Sequence, residues 1–205
     1  GTTLYFTANN DTNGWELWRS DGTESGTVLV KDIYAGISGS SPSNLTIVGT
    51  TLYFTATNET NGIELWKSDG TAEGTVLVED IYSGTSGSSP SSLRGIGTTL
   101  YFTANNGTNG SELWKSNGEI GGTSLVSDIR GGTIGSSPTN FTILGTNLFF
   151  TANDGSTGVE LYKHDTIAVT TGRVIDIYSG ASSSSPIYLS VLGDILYFKA
   201  NDGIH

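Results

Sequence analysis

The stretch Glu64 to Thr71 reads ELWKSDGT, and it recurs along the chain. It returns as ELWRSDGT from Glu16, as ELWKSNGE from Glu112 and, in altered form, as ELYKHDTI from Glu160. Successive copies start 48 residues apart. A glycine keeps the same period at Gly1, Gly49, Gly97, Gly145 and Gly193. A fixed period of this size marks stacked repeat units, each too small to bury its own apolar surface. The chain therefore divides into repeats 1–48, 49–96, 97–144 and 145–192, with the opening of a fifth at 193–205.

Working outward from Glu64, the second repeat holds four short strand candidates. Leu45 to Val48 (LTIV) is strand A, Thr51 to Ala56 (TLYFTA) is B, Glu64 to Ser68 (ELWKS) is C and Thr75 to Ile81 (TVLVEDI) is D. All four are rich in β-branched and aromatic residues and are bounded by Gly, Asn, Asp or Ser. The tight A–B connection and the Asp69-Gly70 turn between C and D predict an antiparallel meander. A longer loop leads from D to the next A. It carries the chain's four prolines, at positions 42, 90, 138 and 186, where a missing N–H does no harm.

Alternation along strand B puts Leu52, Phe54 and Ala56 on one face and Tyr53 and Thr55 on the other. Strand D is apolar on both faces, so each sheet is expected to be covered on both sides. The fold class is read as all-β, a β-propeller of four-stranded antiparallel meander blades in one domain. A flat solenoid is the rival. The final A candidate, Leu189 to Leu192, is a candidate to complete the first blade, which starts at strand B; Ile195 to His205 then holds a surplus B strand. The chain begins without Met and stops thirteen residues into a repeat, so it is expected to be a piece of a longer polypeptide.

Composition narrows the partners. The net charge is −11, and the nine basic residues are spread singly, which argues against nucleic acid. There is no cysteine, so disulfide frameworks and thiolate metal sites are excluded. No apolar run approaches the roughly 18–20 residues of a membrane-spanning helix.

The run LYFTAN, then ELW-x-S-D-G-T, then GT-x-LV-x-DI and S-S-P, resembles the ELWxxDGT repeat family, and the resemblance covers essentially the whole chain. Repeat four departs from it, with Tyr162 for Trp and Thr166 for Gly. The resemblance implies a propeller-like repeat in secreted or surface proteins and an extracellular location. It implies no chemistry.

Glu16, Glu64, Glu112 and Glu160 share a strand face with Trp18, Trp66, Trp114 and Tyr162. They suit a ring of sugar-binding carboxylates and platforms, or a structural role in which Glu accepts loop N–H groups and the aromatic fills the space between blades. The structural role is the simpler account of residues present in every repeat. With Asp21 and Asp69 they make up the repeat motif. Asp32, Asp80, Asp128 and Asp176 end strand D and suit either the lining of an axial mouth or the capping of the loop that follows, of which capping is the simpler account. The Asn-rich B–C loops offer oxygens that calcium accepts, but turn chemistry explains them better, and no cofactor is expected. Tyr34, Tyr82, Arg130 and Tyr178 follow strand D and are the ligand-binding candidates, being types enriched at binding surfaces. No catalytic motif is present, and the chain is read as not an enzyme. The expected role is adhesion, surface architecture or self-assembly, with partners that are other copies or surface proteins. A multivalent glycan-binding lectin is the alternative, and a glycan-active hydrolase ranks below it.

Overall fold

The computed structural model describes residues 2–205. It is all-β, and every strand pairing is antiparallel. The first blade is a three-stranded sheet of β1 (Leu4–Asn9), β2 (Trp15–Ser20) and β3 (Val28–Lys31). Three complete four-stranded meanders follow. They are β4 (Ser43–Val48) to β7 (Val76–Glu79), β8 (Ser91–Ile96) to β11 (Thr123–Ser127), and β12 (Thr139–Leu144) to β15 (Thr170–Ile175). β16 (Ile187–Leu192) and β17 (Ile195–Lys199) form a two-stranded sheet that opens a fifth blade. The final A strand thus pairs with its own B strand and does not complete the first blade. The A–B turn is short and its hairpin forms locally, whereas pairing with β1 would require the two ends of the chain to meet.

The strands run close to their expected bounds. β4 starts two residues before Leu45. It is bulged between Ser43 and Thr46, where Asn44 takes a left-handed φ of 55°. β7 is shorter than the expected Thr75 to Ile81, because the last residues of that span turn into the following loop. Strand C meets strand D through a second bulge, between Leu65 and Trp66. Bulges of this kind add local twist.

The core lies between sheets. Trp66, Phe54, Leu52 and Ala56 of the second blade pack on Leu17, Val30, Tyr5 and Ile33 of the first. Tyr53, Leu65 and Val78 of the second face Leu100, Phe102, Ala104 and Trp114 of the third. Tyr101 and Leu113 of the third meet Leu148, Phe150, Ala152 and Tyr162 of the fourth. The second and third sheets are covered on both faces by their sequence neighbours, which is the physical reason for apolar residues on both sides of strands B and D. The A strands β4, β8, β12 and β16 pack one against the next along one side.

Candidate functional site

The recurrent glutamate is the centre of each repeat's polar structure. It opens the ELW run on strand C and is fully buried in all four copies. In the first repeat, Glu16 Oε1 accepts N–H bonds from Tyr34 at 3.0 Å and Ser40 at 2.9 Å, and Ser40 Oγ donates to Oε2 at 2.5 Å. Glu64 takes the same bonds from Tyr82 N, Ser88 N and Ser88 Oγ. Glu112 takes them from Arg130, Ser136 and the Ile129 N–H, and Glu160 from Ile177 and Ser184. One carboxylate thus pins both ends of the D–A loop. Burial pushes the carboxyls of Glu16, Glu64 and Glu112 above the usual range, and the serine and backbone donors offset only part of that push.

The pinned loop continues into the next blade. Ser40 O accepts from Thr57 N at 3.0 Å, Ser88 O from Asn105 N and Ser136 O from Asn153 N. The following serine, before each proline, is left-handed at all four positions, with φ of 50° at Ser41 and 48° at Ser89. Its N–H is held by strand C, Ser41 by Trp15 O and Ser89 by Ile63 O. Such strain persists only where the surroundings fix it.

The aromatic partners of the glutamates fill the space between sheets. Trp66 is buried and its Nε1 donates to Ala56 O at 3.1 Å. Tyr162 is buried, stacks on Phe150 with centroids 5.9 Å apart, and has its phenol pushed up to about 12, chiefly by burial. Trp18 and Trp114 are partly exposed. Asp21 and Asp69 cap the C–D turn: Asp69 Oδ1 accepts from Thr71 N at 2.9 Å and Thr71 Oγ1 at 2.8 Å. These bonds hold both exposed carboxyls below the usual range. Gly70 has the expected positive φ, 93°. A Cβ there would also collide with Tyr5 Oη of the preceding blade, a contact that the turn signal alone did not reveal.

Tyr34, Tyr82, Arg130 and Tyr178 hold the same place in successive repeats and are half-buried. Three of them reach across to the next repeat. The Tyr82 ring lies over Gly107, the Arg130 guanidinium over Gly155 and the Tyr178 ring over Gly203, so a side chain at any of these glycines would strike them. Glu59 holds the matching place opposite Tyr34. Asp32 and Asp128 accept from Asn13 and Asn109 Nδ2 at 2.7 and 2.8 Å, which ties the end of strand D to the B–C loop. The B–C loops are Asx turns: Asn58 Oδ1 takes the Thr60 and Asn61 N–H groups, and Asn106 those of Thr108 and Asn109. Among the described residues no three His, Asp or Glu side chains converge as a metal site would require.

In the fourth repeat His164 stands where the others have serine. Its ring is buried, Nδ1 lies 2.9 Å from Thr171 Oγ1, and Tyr101 of the third blade tilts against it at 5.4 Å. Burial, with Lys115 nearby, lowers its basicity. The C–D turn here is rebuilt over Thr166 to Val169, with Val169 at φ 53°, because the glycine has gone. The loop serines Ser40, Ser88, Ser136 and Ser184 are the site residues that sequence reasoning missed. Their fixed distance of 24 residues from each glutamate was the available signal.

Sequence and structure comparisons place this geometry among known folds. No family model and no curated protein matches the sequence. Solved structures do match in shape. A puromycin hydrolase superposes with a TM-score of 0.58 at 15% identity, over 87% of this chain and 29% of its own. A prolyl endopeptidase gives 0.55 at 12%, over 97% and 30%. The computationally designed Ika8 protein gives 0.52 at 16%, over 97% and 53%. The chain thus spans about a third or less of the two hydrolases' length. At these identities the likeness concerns the fold: successive antiparallel blades in a propeller-like array.

Proposed function

We propose that this chain is a non-catalytic extracellular repeat module, of the ELWxxDGT type and part of a β-propeller, that serves adhesion, surface architecture or assembly. The observation that carries this reading is the fate of the repeated polar residues. All four motif glutamates are buried beneath their own loops, with their oxygens committed to loop N–H and hydroxyl groups. Residues in that state hold blades together and are not available to a substrate. The hydrolase neighbours offer no counterweight, since their likeness is one of fold. A multivalent lectin is the second reading. It is favoured by the recurrence of Tyr34, Tyr82, Arg130 and Tyr178 at equal spacing, which would let weak sites gain by avidity.

A glycan array probed with the labelled chain separates the two. The module reading expects no saccharide signal. Saccharide hits that vanish in Tyr82→Ala would replace it with the lectin. Labelling intact source cells with an antibody to the chain tests the location. Staining only after permeabilisation would overturn the extracellular assignment.

A further inference from the structure

The C–D turns of the second and third blades lean on the blade before. The Tyr5 hydroxyl sits where a side chain at Gly70 would stand, and the Tyr53 hydroxyl holds the same place against Gly118. At the second of these contacts Lys67 Nζ also donates to Gly118 O at 2.7 Å and lies 3.8 Å from the Glu119 carboxylate. A half-buried ammonium is thus met by a peptide carbonyl and a carboxylate from adjacent residues of one turn.

One repeat later that arrangement is taken apart. Lys115 is the counterpart of Lys67, but Thr166 stands for Gly118 and Ile167 for Glu119. Thr166 is drawn toward its own blade, where its N–H and its hydroxyl both donate to Thr146 O, at 3.4 and 2.7 Å. Ile167 is exposed and brings no charge. What remains is a cleft of about 310 Å³ between the third and fourth blades, lined by Thr99, Tyr101, Lys115, Asn117, Gly122 and Thr166. The site lies between two complete four-stranded blades, away from either end of the sequence.

The charge facing this cleft is uncompensated. Among the described residues no carboxylate pairs with Lys115. The turn beside it carries Asn117 where the other three repeats have Asp21, Asp69 and Asp165. Asp165 is committed to the Ile167 and Ala168 N–H groups, each at 3.0 Å. Arg19, the counterpart at the first interface, is exposed and has Asp21 near it. In a chain of net charge −11, Lys115 is a half-buried cation turned to a polar cleft, without the two acceptors that its counterpart has.

We infer that this cleft docks an acidic peptide segment of a partner protein, one whose backbone carbonyl and neighbouring Glu or Asp carboxylate meet Lys115 as Gly118 and Glu119 meet Lys67. This rests on the module reading and adds the chemistry of a partner to it. A peptide is favoured over a saccharide or a free anion because the contact that has been dismantled is itself a peptide turn. The volume is at the low end for a ligand cleft, roughly 300 Å³, and suits a short segment. The hydroxyl and amide groups of Thr99, Tyr101, Asn117 and Thr166 suit the polar backbone that comes with it.

The probe is a blocked peptide with the sequence of the Ser116 to Ile120 turn, Ser-Asn-Gly-Glu-Ile. Titrated into the isotope-labelled chain, it should shift the amide NMR signals of Asn117, Gly122 and Thr166, with a Kd of about 1–10 mM. The same peptide with Gln for Glu should bind about tenfold more weakly, and so should the original peptide to Lys115→Gln. Unchanged amide signals elsewhere show that the variant is folded. The double variant Thr166→Gly, Ile167→Glu leaves Lys115 in place and rebuilds the turn that Lys67 meets. It should lose the peptide shifts while its thermal midpoint stays the same or rises. No shifts, equal shifts with the Gln peptide or with acetate alone, or full binding by the double variant would overturn the proposal. The module reading has its own test in the saccharide array, whose outcome does not depend on this peptide.

Discussion

The first and second blades carry nearly the same residues and meet different surroundings. LYFTA occupies positions 4–8 in one and 52–56 in the other. Leu52 is 2% exposed and Leu4 is 63% exposed. Trp66 is buried with its indole N–H bonded to Ala56 O, whereas Trp18 and, in the third blade, Trp114 are partly exposed with Nε1 unpartnered, so it is the leucine contrast that follows blade position. Strand formation is the same in both, since local pattern and turn chemistry specify it. Burial is not, because it comes from the preceding blade, and the described residues begin with the first sheet. In a quasi-one-dimensional array, stability divides into what each repeat supplies and what each interface supplies.

The largest expected effect tests the interface part. Trp66→Ala should cost about 3–5 kcal/mol through lost contact and a cavity between two sheets. Trp18→Ala should cost less than half of that. Urea unfolding midpoints of the two variants measure the difference, and equal losses would break the comparison.

The next effect should be equal in the two blades. Glu16 and Glu64 hold their D–A loops through the same three donors, all within the repeat. Replacing either with Ala leaves buried N–H groups without acceptors, at roughly 2–4 kcal/mol. A much smaller loss for Glu16→Ala would mean that the anchor also depends on the neighbouring blade. A smaller contrast separates backbone strain from contact. Gly22 and Gly70 share a φ of 93°. A Cβ at Gly22 meets nothing, whereas at Gly70 it meets Tyr5 of the preceding blade. Gly22→Ala should cost roughly 1 kcal/mol from the left-handed conformation. Gly70→Ala should cost roughly 1 kcal/mol more from the collision. The double variant Tyr5→Phe, Gly70→Ala should recover part of the excess.

How far the sequence could be read follows the same division. The period, the four strands, the antiparallel order and the two-faced apolar pattern were legible, because turn glycines and alternation are local signals. Gly70's conformation was legible from Asp-Gly alone. Tyr5 beside Gly70, and Tyr82 over Gly107, were not, since they join residues 65 and 25 positions apart across a sheet-to-sheet gap. The loop serines were hidden for another reason: serine is common in these loops, and only the distance from each glutamate marks Ser40 out from Ser38 or Ser41. The behaviour of the chain ends was open because β16 has two nearly identical partners, β17 and β1, and strand propensity cannot choose between them.

The smallest effect concerns charge, and it should be indifferent to blade position. Burial raises the carboxyls of Glu16 and Glu64 alike, and that of Glu112, from a reference value of 4.5. A carboxyl raised in the folded state binds its proton more tightly there than in the unfolded chain. Its favourable contribution is therefore full below the unfolded value of 4.5 and is lost as pH rises through the higher folded value. The turn aspartates Asp21 and Asp69 act in the opposite sense, being lowered from 3.8, and their contribution is lost only as pH falls below that reference value. The thermal midpoint should thus rise as the pH is lowered from 7 toward 4.5. Relief of the −11 net charge works in the same direction, so the rise alone does not identify its source. Glu64→Gln does. The amide keeps the shape, accepts the Tyr82 and Ser88 N–H bonds and donates to Ser88 Oγ, but it does not titrate. It should flatten the rise by roughly a third if the three glutamates share it. Glu16→Gln should flatten it equally, because the loop that buries each carboxylate belongs to its own repeat. If both variants keep the full slope, the pH response belongs to the surface charge. If only Glu64→Gln flattens it, burial of the anchor depends on the neighbouring blade after all, and the division between repeat and interface must be redrawn.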